Sequence, residues 1–181
     1  MGMEVMGYWN TRGLRGSTFE EMINMTNDMY RSKGLAIVLK LPTDITPVEV
    51  NNKEHTISRA YFEKKSTVDY IGAAQGIPLC FDAKETARKS LPIQNIHAHQ
   101  IEFMSEFEAQ RGIAFLLVRF VFADEIYYLP FQSLKKFWDA SASGGRKSIP
   151  YDAFEPRYKV ESKSGFIVHY LEQVNVALAE E

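Results

Sequence analysis

Ile113 to Phe122, reading IAFLLVRFVF, restricts the fold more than any other stretch of this chain. Arg119 is its one charged residue, and β-branched and aromatic side chains dominate the rest. A strand with one face in water would alternate, so an unbroken apolar run of this kind is expected to be covered on both faces. Asp124-Glu125 turns the chain, and Ile126-Tyr127-Tyr128-Leu129 is the expected partner strand. Ser17 to Gly34, a segment ending at Arg111, about 131–138 and about 167–179 carry helical patterns. Helix, several strands, helix, strands and helices in that order predict an α/β fold with a mixed sheet flanked by helices. A chain of 181 residues is one domain (1–181) with a sizeable core.

The chemistry gathers between Ser66 and Thr86, STVDYIGAAQGIPLCFDAKET. A glycine-containing turn, Gly72 to Gly76, separates Asp69 from the run Ile77-Pro78-Leu79-Cys80-Phe81. As a strand, that run directs Phe81 and Ala83 to one face, and Cys80, Asp82 and Lys84 to the other. Asp69 is placed to fold back beside Asp82. Two carboxylates and an ammonium on one surface suit a hard divalent cation and a positioned water. Alternating charge along a strand is more often simply a solvated face.

Before this stretch, residues 1–16 read as a loose arm carrying Arg12 and Arg15. Ser17-Thr18-Phe19-Glu20 reads as a capping box, with Ser17 at the cap and Phe19, Met22, Ile23, Thr26 and Tyr30 on the buried face. Glu20 therefore has two readings, capping residue or third acidic group of the site. Leu35 to Leu41 is a strand, and Pro42 and Pro47 are expected to forbid ordinary strand pairing around them. About 42–65 reads as a two-stranded protrusion with Asn51-Asn52-Lys53 near its tip and Arg59 on its return.

Downstream, Arg88 to Asn95 reads as a loop. His97 and His99 are two apart and do not share a helical face, so they are not read as a metal pair. Net charge is −2, which gives no bulk sign of a nucleic-acid partner. The cations are patchy, however, with Arg146 and Lys147 part of a late cluster. A single cysteine, Cys80, fits a reducing compartment. With neither a secretory pattern at Met1 to Gly13 nor an apolar run long enough to cross a bilayer, a cytoplasmic location without membrane association is expected.

Several words then recur in a recognisable order. They include Arg12-Gly13, Phe19-Glu20, Ala60-Tyr61-Phe62, Ser66-Thr67-Val68-Asp69-Tyr70 and Phe81-Asp82-Ala83-Lys84-Glu85-Thr86. Thr26-Asn27, Ile37 to Pro42, Leu91-Pro92-Ile93-Gln94-Asn95, His97-Ala98-His99-Gln100-Ile101-Glu102, Phe137-Trp138-Asp139 and Arg146-Lys147-Ser148-Ile149 complete the set. Over nearly its whole length the chain resembles the RecU family of Holliday junction resolvases. The resemblance implies a restriction-endonuclease-like core with a protruding β-stalk, and a homodimer that nicks opposed strands of a four-way DNA junction with Mg2+ (or Mn2+). It implies Asp69, Asp82 and Glu20 as metal ligands, Lys84 as the residue that orients water and offsets phosphate charge, and Thr67 beside Asp69. Lys53, Arg59, Arg12, Gln94, Arg146 and Lys147 become expected DNA contacts, and a recombinase or branch-migration helicase a candidate partner.

The chain departs from the family pattern in three places. Asp82 stands where Glu is usual, Cys80 where another Asp is usual, and Asn51-Asn52-Lys53 where the stalk carries arginine. These departures keep two alternatives open: a non-cleaving junction-binding accessory, and a nuclease of the same fold acting on other branched or duplex DNA.

Overall fold

The computed structural model describes residues 18–42, 45–51, 56–62 and 67–179. The N-terminal arm with Arg12, the hairpin tip with Lys53, and Ser17 lie outside those residues.

Helix α1 (Phe19–Ser32) starts one residue later than the first capping word suggests. The Glu21 N–H donates to Thr18 Oγ1 at 3.3 Å, and the Thr18 N–H donates to the Glu21 carboxylate at 2.6 Å. The sequence Ser-Thr-Phe-Glu-Glu contains two overlapping Ser/Thr-x-x-Glu words, and the second closes the box. Glu20 is thereby released from capping. Phe19, Met22, Ile23, Thr26 and Tyr30 face the sheet as expected, and Gly34, at φ +67°, ends the turn.

The main sheet has six strands: β1 (Ile37–Lys40), β4 (Tyr70–Ala74), β5 (Ile77–Thr86), β7 (Ile113–Phe120), β8 (Glu125–Pro130) and β10 (Lys159–Val160). Their order is β1-β4-β5-β7-β8-β10, parallel only between β5 and β7. A parallel pair needs a crossover, and here helix α2 (Ala98–Ala109) lies in it. The β4–β5 turn is Gln75-Gly76, both at positive φ. Gly72 is not in the turn; it lies in β4, where a Cβ would sit 2.1 Å from the Ile37 carbonyl oxygen.

The alternation of β5 is as expected. Leu79 and Phe81 enter a core with α1 and α4 (Leu171–Leu178), and Phe81 stacks between Tyr70 and Phe115 at 4.7 and 4.8 Å. Cys80 enters the opposite core with α2 and α3 (Phe131–Ala142). The run from Ala114 to Val118 is buried on both faces.

Other elements differ from the sequence reading. Strand β6 (Ser90–Pro92) pairs with β9 (Ser148–Pro150), and a 3-10 turn covers Ile93–Asn95, so Arg88 to Asn95 is not simply a loop. Helix α4 is shorter than 167–179, because Phe166 to Tyr170 is tied to α1 by long-range bonds. The Val168 N–H donates to Thr26 Oγ1 at 3.0 Å, and Tyr170 Oη donates to Asn27 Oδ1 at 2.6 Å. Strands β2 (Ile45–Asn51) and β3 (Thr56–Phe62) form a separate antiparallel hairpin. Pro47 does pair within it, opposite Ala60, and the register slips immediately afterwards.

Candidate active site

Asp69 lies just before β4, anchored by fully buried Val68, and its carbonyl accepts the Leu41 N–H at 2.8 Å. Asp82 lies in mid-β5 and is itself fully buried. The Asp69 N–H donates to Asp82 Oδ1 at 3.0 Å, and the Ala83 N–H donates to Asp69 Oδ2 at 3.1 Å. The two acids are thus locked by reciprocal backbone bonds, as folding back Asp69 predicted. Lys84 forms an ion pair with Asp82 Oδ2. The Asp69 carboxyl is pushed up to about 6 by burial first, then by the neighbouring Asp82, with the Ala83 N–H and Lys84 opposing.

Gln100 completes this arrangement, and sequence reasoning did not assign it a role. From the first turn of α2 its Nε2 donates to Asp82 Oδ2 at 2.9 Å, while its Oε1 accepts the His97 N–H at 3.0 Å. The available signal was a polar residue beside Ile101 and four before Met104 on the inner face of a helix. A buried amide in such a place needs partners, and its partners are a helix end and the central carboxylate.

Glu20 is exposed in the first turn of α1 and pairs with Lys40 of β1. Its charge, with those of Asp69 and Asp82, acts on the Tyr70 phenol, which burial above all holds well above the usual tyrosine range. Among the described residues, however, no three acidic, histidine or cysteine side chains are grouped closely enough to hold a metal ion. Cys80 is packed in the core, its thiol pushed up to about 12 by burial first and then by Glu108 and Asp82. Two hard carboxylates still fit Mg2+, which is commonly bound through one or two carboxylates with waters completing its shell.

The remaining expected contacts are dispersed. Thr67 is exposed two residues before Asp69, and Gln94 is exposed in the 3-10 turn. The Lys147 carbonyl accepts the Ile93 N–H at 2.9 Å, setting this residue beside that turn, while its ammonium bonds the Ser141 carbonyl. Arg146 Nε donates to Ser148 Oγ at 3.2 Å, and Arg59 lies 3.6 Å from Glu49 across the hairpin.

The family model described as RecU, recombination protein U, matches residues 14–176. This chain belongs to the RecU family. A relative from Pediococcus pentosaceus described as Holliday junction resolvase RecU is 40% identical over 168 residues, covering 90% of this chain and 84% of its own. Another RecU, from Lactococcus lactis subsp. cremoris, is 45% identical over 168 residues, covering 90% and 78%. The solved structure of Hjc, a Holliday junction resolvase of Archaeoglobus fulgidus, is similar with a TM-score of 0.43 at 9% identity, over 84% of this chain and 98% of its own.

Proposed function

We propose that this RecU-family chain is a divalent-metal-dependent endonuclease that resolves four-way DNA junctions by paired nicks in opposed strands. The observation that carries this reading is the buried Asp82 carboxylate, bracketed by Asp69, Lys84 and Gln100. Asp69 and Asp82 would hold Mg2+ or Mn2+, which when bound supplies a Lewis acid for the phosphoryl oxygen and lowers the pKa of water. The backbone bonds between the two acids fix their carboxylates before substrate arrives, so little reorganisation accompanies reaction. Lys84, mostly buried, carries a positive charge that offsets the negative charge growing on phosphorus oxygens as water's oxygen bonds to phosphorus and the leaving deoxyribose oxygen departs. Gln100 holds Asp82 in one orientation. Thr67 would stand at the entrance, and Glu20, if it turned from Lys40, would add a further acid.

The hairpin would enter the junction centre, with Arg59 and Lys53 on it, while Gln94, Arg146 and Lys147 would meet a DNA arm and Arg12 another contact. Paired nicks need two sites related by symmetry, hence a homodimer. Ile37 and Leu39 on edge strand β1, with Val48 and Ile57 on the hairpin, are exposed apolar residues that pairing would cover. Among the described residues no helix is long and apolar enough to cross a membrane, and a cytoplasmic site of action goes with this reading.

A non-cleaving junction binder is the second reading, favoured by the pairing of Glu20 with Lys40 and the absence of a carboxylate at Cys80. Cleavage of a labelled mobile four-way junction in Mg2+, against a chelator control and a matched duplex, separates the two. Paired nicks lost in Asp82→Asn with junction binding retained are the expected result. Tight binding without nicks in Mg2+ or Mn2+ would replace the nuclease by the accessory. Equal cutting of duplex would retain the nuclease and remove the junction.

A further inference from the structure

The sheet has a concave feature away from Lys84, at the end where β5 and β7 begin. A cavity of about 710 Å3 opens there, a size that takes a ligand or the end of a peptide. Ile77, Ile113, Pro130 and Leu178, all partly accessible, give its floor an apolar strip beside the polar Gln132 and Ser133. Arg111, Lys136 and Arg157 stand on its rim.

The rim carboxylates are already engaged. Glu108 accepts a hydrogen bond from Gln132 Nε2, and Glu155 pairs with Arg157 at 2.7 Å. Among the described residues, Arg111 and Lys136 have no carboxylate partner. The backbone under Arg111 is fixed: this residue sits at φ +62°, and the next N–H, of Gly112, donates to the Phe107 carbonyl at 3.1 Å. A Cβ at Gly112 would come within 2.3 Å of the Phe107 ring, so the turn that presents the guanidinium tolerates little variation.

An aliphatic floor under unpartnered cations selects its occupant. A nucleotide base would want an open aromatic face, but Tyr128 and Tyr158 are 1% and 5% exposed, and Arg157 lies over the Tyr158 ring. A duplex backbone would meet the cations but leave the concave apolar floor empty. An acidic segment bearing an apolar side chain satisfies both. We propose that this cavity docks an acidic peptide segment of another protein, with its apolar side chain on the Ile113–Leu178 floor and its carboxylates on Arg111 and Lys136. Opposite charge on the rim would speed encounter, and the floor would slow release. The proposal does not depend on the catalytic assignment.

The test uses the whole chain and a fluorescein-labelled peptide, Ser-Asp-Glu-Asp-Glu-Leu-Phe with a free carboxyl end, read by anisotropy. Saturable binding is expected, weakened about tenfold or more by Arg111→Glu, by Lys136→Glu, or by replacing Leu-Phe with Ser-Ser. Thermal melts of both variants should match the parent, because both side chains are exposed. No saturable binding at low salt, or binding indifferent to both charge reversals, would overturn the proposal. Displacement of the peptide by ADP, itself sensitive to Arg111→Glu, would overturn it in favour of a nucleotide site.

Discussion

Gln100 reaches from α2 to the fully buried carboxylate of Asp82, Nε2 to Oδ2 at 2.9 Å, and so joins the crossover helix to the centre of the site. Gln100→Leu removes this donor and leaves a buried carboxylate short of one partner. Such a loss costs about 1–3 kcal/mol, and removing an orienting neighbour typically lowers activity about 10- to 100-fold. Urea unfolding with single-turnover cleavage checks both numbers. Gln100→Glu should be worse at neutral pH, since a second carboxylate would face Asp82; activity equal to the parent would remove Gln100 from the site.

Glu20 and Glu21 are neighbours with separable roles. Thr18→Ala should cost about 1 kcal/mol through the lost cap, leaving cleavage unchanged per folded molecule. Glu20→Gln loses only an exposed pair with Lys40, so stability should move by no more than about 0.5 kcal/mol. If Glu20 joins the site with substrate bound, cleavage falls in Glu20→Gln while the melting curve stays in place. Unchanged cleavage would make it a surface residue.

Cys80 gives a clean probe of global opening. A fully buried thiol held near 12 is neither exposed nor ionised at neutral pH. Its reaction with a thiol reagent should proceed at the rate of unfolding and saturate with reagent concentration. Fast labelling of the native protein would contradict this packing.

His169 gives the acid limb of stability a local component. Burial lowers its pKa below the usual histidine value, with Lys163 and Lys33 adding to the effect and Glu172 opposing; its Nδ1 lies 2.8 Å from Tyr30 Oη. The folded state therefore releases this proton more readily than the unfolded chain. Its contribution is present above the unfolded value of about 6.5 and is lost as pH falls through the lower folded value. Unfolding midpoints of parent and His169→Gln, measured at about pH 7.5 and about pH 5.5, should converge in acid. A constant gap would exclude the effect.

What could be read from the residues follows the range of the forces involved. The period-two alternation of β5 put Asp82 and Lys84 on one face without knowledge of any partner, and the hairpin placed Asp69 beside them. Gly72 was misjudged as part of the turn because its constraint comes from the Ile37 carbonyl on a strand distant in sequence. The capping register was ambiguous because two overlapping words were equally good, and only the fold could choose Thr18. Residues 167–170 read as helix from their apolar pattern, but Thr26 and Asn27 claim polar groups of Val168 and Tyr170 across the chain. Gln100 went unassigned because its partner, the Asp82 carboxylate on β5, is brought to it only by the fold.

The chain leaves the main sheet for the β2–β3 hairpin at Leu41 and is back at Asp69, and the Leu41 N–H to Asp69 carbonyl bond closes the excursion at its foot. The hairpin strands lie beyond that clasp and beyond buried Val68, and they share no sheet with the strands that carry the two carboxylates. Under the proposed function, substrate reach and bond-breaking chemistry would then diversify separately within one gene, the hairpin drifting while the clasp and the acids beneath it stand still.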